Sequence, residues 1–210
     1  MGLVLVVSTF VGPQRAMGQA NQEFRIDSAA STVAVNVGRA GLFAFAGHDH
    51  EVIAPAMQGA VFLDSEDVSR SRLTLQFDAT AMKVTGRGEP ADDVAEVQRV
   101  MLSDRVLDVQ RHPTITFESE RISVRQRSSD QLRLQVDGKL TLRGATRAVS
   151  IPVDVRLTAD RLAATGTTTL RQTAFGINPV TAVAGTVRVK DEVSVAFTIV
   201  GRRLSSAKVP

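Results

Sequence analysis

A chain of 210 residues without a single cysteine can build no disulfide framework, no thiolate nucleophile and no cysteine-ligated zinc site. Its aromatic content is 4%, all of it phenylalanine, so the Trp and Tyr platforms on which sugars and unpaired bases stack are missing. The 25 Lys and Arg against 22 Asp and Glu give a pI near 9.9, but the bases are scattered over a mixed surface and form no phosphate-tracking stripe, so nucleic acid is not an expected partner.

In chain order, residues 1–20 stand apart. Leu3 to Val11 form a short apolar run, Pro13 interrupts it, and Gly18-Gln19-Ala20 offers small residues at the positions a signal peptidase reads. This is the outline of a secretory signal peptide, with a buried N-terminal strand as the competing reading. No Lys or Arg precedes the run, as expected if the true start lies upstream. No later segment is apolar enough to span a bilayer, so the mature chain is expected to carry no integral span and to reside in the periplasm or outside the cell. One domain is expected over residues 21–204, with a short tail at 205–210.

From Phe24 onward the dominant signal is alternation with period two, the signature of strands with one buried face. Val33, Val35 and Val37 alternate with Thr32, Ala34 and Asn36; Leu73, Leu75 and Phe77 alternate with Thr74, Gln76 and Asp78. The rhythm returns at Ile115 and Phe117, at Leu132, Leu134 and Val136, at Leu140 and Leu142, through Val149 to Leu157, and from Val193 to Ile199. Arg70 to Val84 and Thr146 to Ala159 each read as strands of more than ten residues. Turns are expected at Ser128-Ser129-Asp130, Arg143-Gly144-Ala145 and Asp160-Arg161.

One segment breaks the pattern. Val94, Val97, Val100 and Met101 recur at helical spacing, Pro90 suits a first turn, and Asp92 and Asp93 complement the helix dipole. The spacing predicts a helix over about 91–103, covering one end of the sheet; "GRGEP" before it reads as a flexible turn. His112-Pro113 then restarts extended chain. So many half-buried, largely aliphatic strands predict an all-β fold, an antiparallel β-barrel whose closure removes exposed edges.

The ordered set "FRIDSAASTVAVNV", "MQGAVFLD", "LSDRVLDVQRHPTITFES", "VDGKLTLRGATRAVSIPV" and "TAFGINPV" resembles the YceI-like proteins. The resemblance implies an extended, lipocalin-like barrel, periplasmic or secreted, with an apolar tunnel that in some members holds a polyisoprenoid. The implied function is to bind or carry an amphiphile with a long apolar tail, of the polyisoprenoid or isoprenoid quinone class, with no other cofactor. Phe43, Phe45, Phe77, Phe117, Phe175 and Phe197 are the candidate lipid-binding residues, although a Phe on an inner face can equally be plain core. Whether the barrel stands alone or as a homodimer is open from sequence.

"GLFAFAGHDHEV" invites closer reading. On a strand, His48 and His50 would project from one face, with Cβ atoms roughly 6–7 Å apart. Three roles compete: a structural place at the barrel mouth, contact with a ligand head group alongside Arg39, or a shared metal ion completed by Asp49, Glu51 or His112. The alternative to lipid carriage is therefore a metal-binding module or metal-dependent enzyme centred on His48 and His50. His112 itself reads as a tolerated substitute for an aromatic. There is no G-x-S-x-G elbow, P-loop or dinucleotide fingerprint, so an enzyme is not expected.

Overall fold

The computed structural model describes residues 21–40, 49–55, 57–87, 91–129, 131–182 and 187–204. Twelve strands are defined among them: β1 (Asn21–Ile26), β2 (Thr32–Ala40), β3 (His50–Ile53), β4 (Met57–Asp64), β5 (Arg72–Asp78), β6 (Lys83–Val84), β7 (Thr114–Arg127), β8 (Gln131–Leu142), β9 (Ala145–Leu157), β10 (Arg161–Arg171), β11 (Thr181–Ala182) and β12 (Val187–Arg203). Pairing runs β1-β4-β5-β7-β8-β9-β10-β12 and returns from β12 to β1, a closed antiparallel barrel of eight strands. The expected barrel is therefore present, and its helix α1 spans Ala91–Leu102.

β12 is long enough to serve two partners. Gly201 to Arg203 pair with β1, whereas Arg188 to Thr198 pair with β2, so β1 and β2 follow one another along one edge of β12. The step between them is pinned by polar side chains. Asp27 accepts from the Ala30 amide and from Arg202 Nε at 2.6 Å, and the buried Ser31 hydroxyl accepts from the Val200 amide at 2.9 Å while donating to the Asp27 carbonyl at 2.7 Å. β3 and β6 then continue the sheet beyond β2.

β6 ends that sheet, and a side chain finishes its edge. Gln98 of α1 accepts from the Val84 amide at 2.8 Å and donates to the Met82 carbonyl at 2.9 Å, as another strand would. The apolar face of α1, with Val94, Val97 and Met101, packs on Val52, Ala54, Met82 and Val84 and covers this end of the barrel.

The expected long strand from Arg70 to Val84 is corrected. β5 stops at Asp78, whose carboxylate accepts from the Thr80 amide at 2.9 Å and its hydroxyl at 2.6 Å, starting a short helical turn over Ala79–Ala81. Lys83–Val84 then joins β3. The alternation looked continuous because a capping Asp and a polar strand residue occupy the same place in a period of two.

Carboxylates of this kind tie many turns and strand pairs. Hydrogen bonds hold several below the usual Asp range: Asp27 through Arg202, Asp64 through the Asp67 amide and then Arg70, Asp78 through Thr80, Asp137 through Ser150 and then Arg121, and Asp191 through the Thr173 amide. Each is lower in the folded than in the unfolded chain, so its stabilisation is present above the unfolded Asp value of about 3.9 and is lost as pH falls through the folded one. The melting temperature is accordingly expected to be insensitive to these groups above about pH 5 and to fall steeply below about pH 4; thermal scans by circular dichroism across that range check it.

Candidate ligand cavity

The inner rows of the barrel are the alternating residues themselves: Val33, Val35 and Val37 on β2, Leu73, Leu75 and Phe77 on β5, Leu132, Leu134 and Val136 on β8, Val149 to Leu157 at every second residue on β9. Side chains this small and branched do not meet across the barrel, and a cavity of about 300 Å³ remains. It reaches from Val68, Ser71 and Leu157 at one end to Met101, Leu107, Phe175 and Ile177 at the other. Of the described lining residues only Ser71, Thr168, Arg171 and Gln172 are polar.

Four of the six candidate phenylalanines, Phe77, Phe117, Phe175 and Phe197, line this cavity; Phe43 and Phe45 lie outside the described residues. Two of the rings are kept to the wall by glycines. A Cβ on Gly138 would stand 2.8 Å from Phe117 Cζ, and one on Gly166 2.5 Å from Phe197 Cζ. Each ring lies over a missing side chain, leaving the axis of the barrel free.

Arg39 and His50 sit at the end of the barrel that α1 covers. His50 pairs with Val37 and so shares its face, the same face as Val52, and Val37 and Val52 both line the cavity. Arg39 lies two residues beyond Val37; its Nε is 3.7 Å from Asp49, whose carboxylate also accepts from the Arg39 amide. His48 lies outside the described residues, and among those described no group of three His, Asp or Glu is placed to hold a metal ion. His112 is half-buried beside the β8–β9 turn, where a Cβ on Gly144 would fall 2.6 Å from its Cε1.

That turn ties the same end together. Arg143 and Gly144 both have positive φ, 51° and 72°, the two-residue hairpin geometry that matches strand twist. From there the Arg143 guanidinium donates to the Asp104 carbonyl at 2.7 Å, after α1, and to the Gly176 carbonyl, beside Phe175. The pieces "HPTITF", "GKLTLRGATR" and "FGI", far apart in sequence, thus converge on one clasp. Arg143→Met keeps the stem but leaves two carbonyls unanswered; a loss of about 2 kcal/mol is expected, or about 4–8 °C in melting temperature for a domain of this size. Hydrogen exchange should show the loss localised at residues 172–177.

None of the four polar lining residues was foreseen; Thr168, Arg171 and Gln172 lie on or just after β10, and Ser71 lies just before β5. Arg171 Nη2 pairs with Glu192 at 3.0 Å and the Gln172 amide donates to the Lys190 carbonyl at 2.7 Å.

Residues 24–201 match the family described as the YceI-like domain. Among solved structures, BcnA of Burkholderia cenocepacia aligns at 19% identity with a TM-score of 0.63, covering 83% of this chain and 98% of that one. A polyisoprenoid binding domain from Saccharophagus degradans, implicated in plant cell wall breakdown, aligns at 12% identity and a TM-score of 0.64, covering 86% and 98%. The YCEI protein of Campylobacter jejuni aligns at 10% identity and 0.54, covering 71% and 82%. No curated protein matches. With a family match over most of its length, on a barrel whose clasp is built from the same ordered motifs, the chain belongs to the YceI-like domain family.

Proposed function

We propose that this protein binds and carries an amphiphile with a long apolar tail, of the polyisoprenoid or isoprenoid quinone class, inside the barrel. The observation that carries the reading is the cavity: it follows the barrel from end to end and is lined almost wholly by Val, Leu, Ile and Phe. Such a wall recognises length and apolarity and asks for no directional contact. Each methylene moved from water into it contributes about 0.8 kcal/mol before the cost of ordering the tail, so affinity accumulates with chain length. The fold shared with the polyisoprenoid binding domain of Saccharophagus degradans supports this ligand class.

Export fits the reading. Residues 1–20 carry the features of a signal peptide, the chain holds no cysteine to be oxidised, and no helix among the described residues is long and apolar enough to cross a membrane. We place the protein in the periplasm or outside the cell, as a binding protein and not a catalyst. Organic extraction of protein purified from its own host, followed by mass spectrometry, tests the proposal. A bound species built of repeating isoprene units is expected; consistently empty protein would overturn it.

A further inference from the structure

The barrel wall is not equally tight all round. β10 pairs with β12 along its whole length, Arg161 to Arg171, and β8 pairs with β9 from one end to the other. Between β9 and β10, however, the ladder covers only Asp154 to Leu157 against Leu162 to Thr165. Beyond it, Ala145 to Val153 and Gly166 to Arg171 face each other without strand pairing.

The sequence explains where the ladder stops. The next contact is between the Pro152 carbonyl and Gly166, where a Cβ would come within 2.6 Å. Pro152 has no N–H to donate toward β10, and Gly166 has no side chain to fill the space, which the Phe197 ring occupies instead. On the outside, a groove of about 630 Å³ crosses this place, bordered by Pro152, Asp154, Thr165 and Thr167. Phe197 and Val153 line both this groove and the interior cavity. They are what separates the two.

The described residues obstruct both ends of the barrel. Val68, buried in a short helical turn over Val68–Arg70, packs into the core at one. Met101 and Leu107, with the Arg143 clasp, cover the other. The β10 border of the split is also where the lining turns polar, at Thr168, Arg171 and Gln172. Thr168 lines the cavity, and its hydroxyl makes no hydrogen bond to another described residue.

We propose that the amphiphile passes sideways through the β9–β10 split, with the Phe197 ring as its gate and Thr168, Arg171 and Gln172 receiving an oxygen-bearing head group. This rests on the carrier reading above. A tail that slides in laterally need not thread past either covered end, and a polar head left at the split keeps its hydrogen bonds while the tail is desolvated.

The absence of native cysteine makes the test clean. Ala148→Cys and Thr169→Cys place the two thiols of the chain on exposed residues either side of the split, to be joined after folding by a bifunctional maleimide with a reducible centre. The probe is a fluorescent polyene fatty acid. Cross-linking is expected to slow its uptake and release at least tenfold with little change in Kd, and reduction of the linker to restore both rates. Thr168→Val is expected to weaken the acid five- to tenfold while leaving a hydrocarbon of the same length unaffected. Unchanged exchange rates in the cross-linked protein, with the probe still bound, would overturn the lateral route alone. Failure of the unmodified protein to bind either probe would overturn the carrier reading and the route together.

Discussion

Gly138→Val is expected to cost the barrel more stability than any other single exchange considered for its wall. Gly138 lies on the inner row of β8 between Val136 and Leu140 and stands opposite Ser119, where β7 carries Glu120 as an extra residue in a bulge. The bulge brings the Glu118 carbonyl in: a Cβ at position 138 would lie 2.3 Å from that oxygen and 2.8 Å from Phe117 Cζ. The ring can swing away into the cavity, but the carbonyl can retreat only if the bulge and its neighbouring ladder bonds are undone. Over-packing alone costs about 1–3 kcal/mol, and a β-branched residue beside displaced backbone exceeds that range. At about 2–4 °C per kcal/mol for a domain of this size, a fall of 10 °C or more is expected by thermal circular dichroism. Ala should be milder. Adding Phe117→Leu to Gly138→Val relieves the ring contact but not the carbonyl contact, so partial recovery is expected. A Gly138→Val protein that melts with the wild type would show that β7 does not approach here.

The inner rows that this substitution disturbs were plain in the sequence, because Val, Leu and Phe at every second position can serve only one buried face. β10 was not. Its inward row reads Leu162, Ala164, Gly166, Thr168, Leu170, small or polar in the middle, so alternation of hydrophobicity fades where the strand borders the split. The signal available was the reverse of the usual one: "TGTTT" between two leucines marks a strand whose interior is deliberately unfilled. The break after β5 was hidden for another reason, since Asp78 closes a turn through its own side chain. The clasp could not be read from spacing at all. Arg143 acts on two backbone carbonyls whose identity depends on the fold, and nothing in "LRGAT" names Asp104 or Gly176 as its partners. His50 stands opposite Val37, beside the apolar row, a pairing that the sequence did not specify, while Phe43, Phe45 and His48 fall outside the described residues.

Ala164→Phe is expected to separate folding from binding. Ala164 lies on the inner row of β10, within the stretch where the wall is fully paired, opposite Val155 on β9 and Ile199 on β12, and it lines the cavity. Its β-carbon is held in place by ladders on both sides, so a larger side chain has one direction in which to extend, into the lumen. Phe suits this better than Trp because it brings no N–H that an apolar cavity would leave unsatisfied. Small-to-large exchanges destabilise when neighbours must move, but here about 300 Å³ of space receives the ring, and new contacts with the lining offset the strain. The melting temperature should stay within about 4 °C of wild type, roughly the effect of 1–2 kcal/mol in a domain of this size. Affinity for a long-tailed probe should fall at least a hundredfold, because a blocked lumen denies the tail most of the methylene burial that drives binding. The loss should grow with tail length, since a short tail can still occupy the half of the lumen on its own side of the ring. Equal affinity in a well-folded Ala164→Phe protein would mean that the tail does not run through the barrel; equal loss for short and long tails would point to a site confined to the neighbourhood of β10.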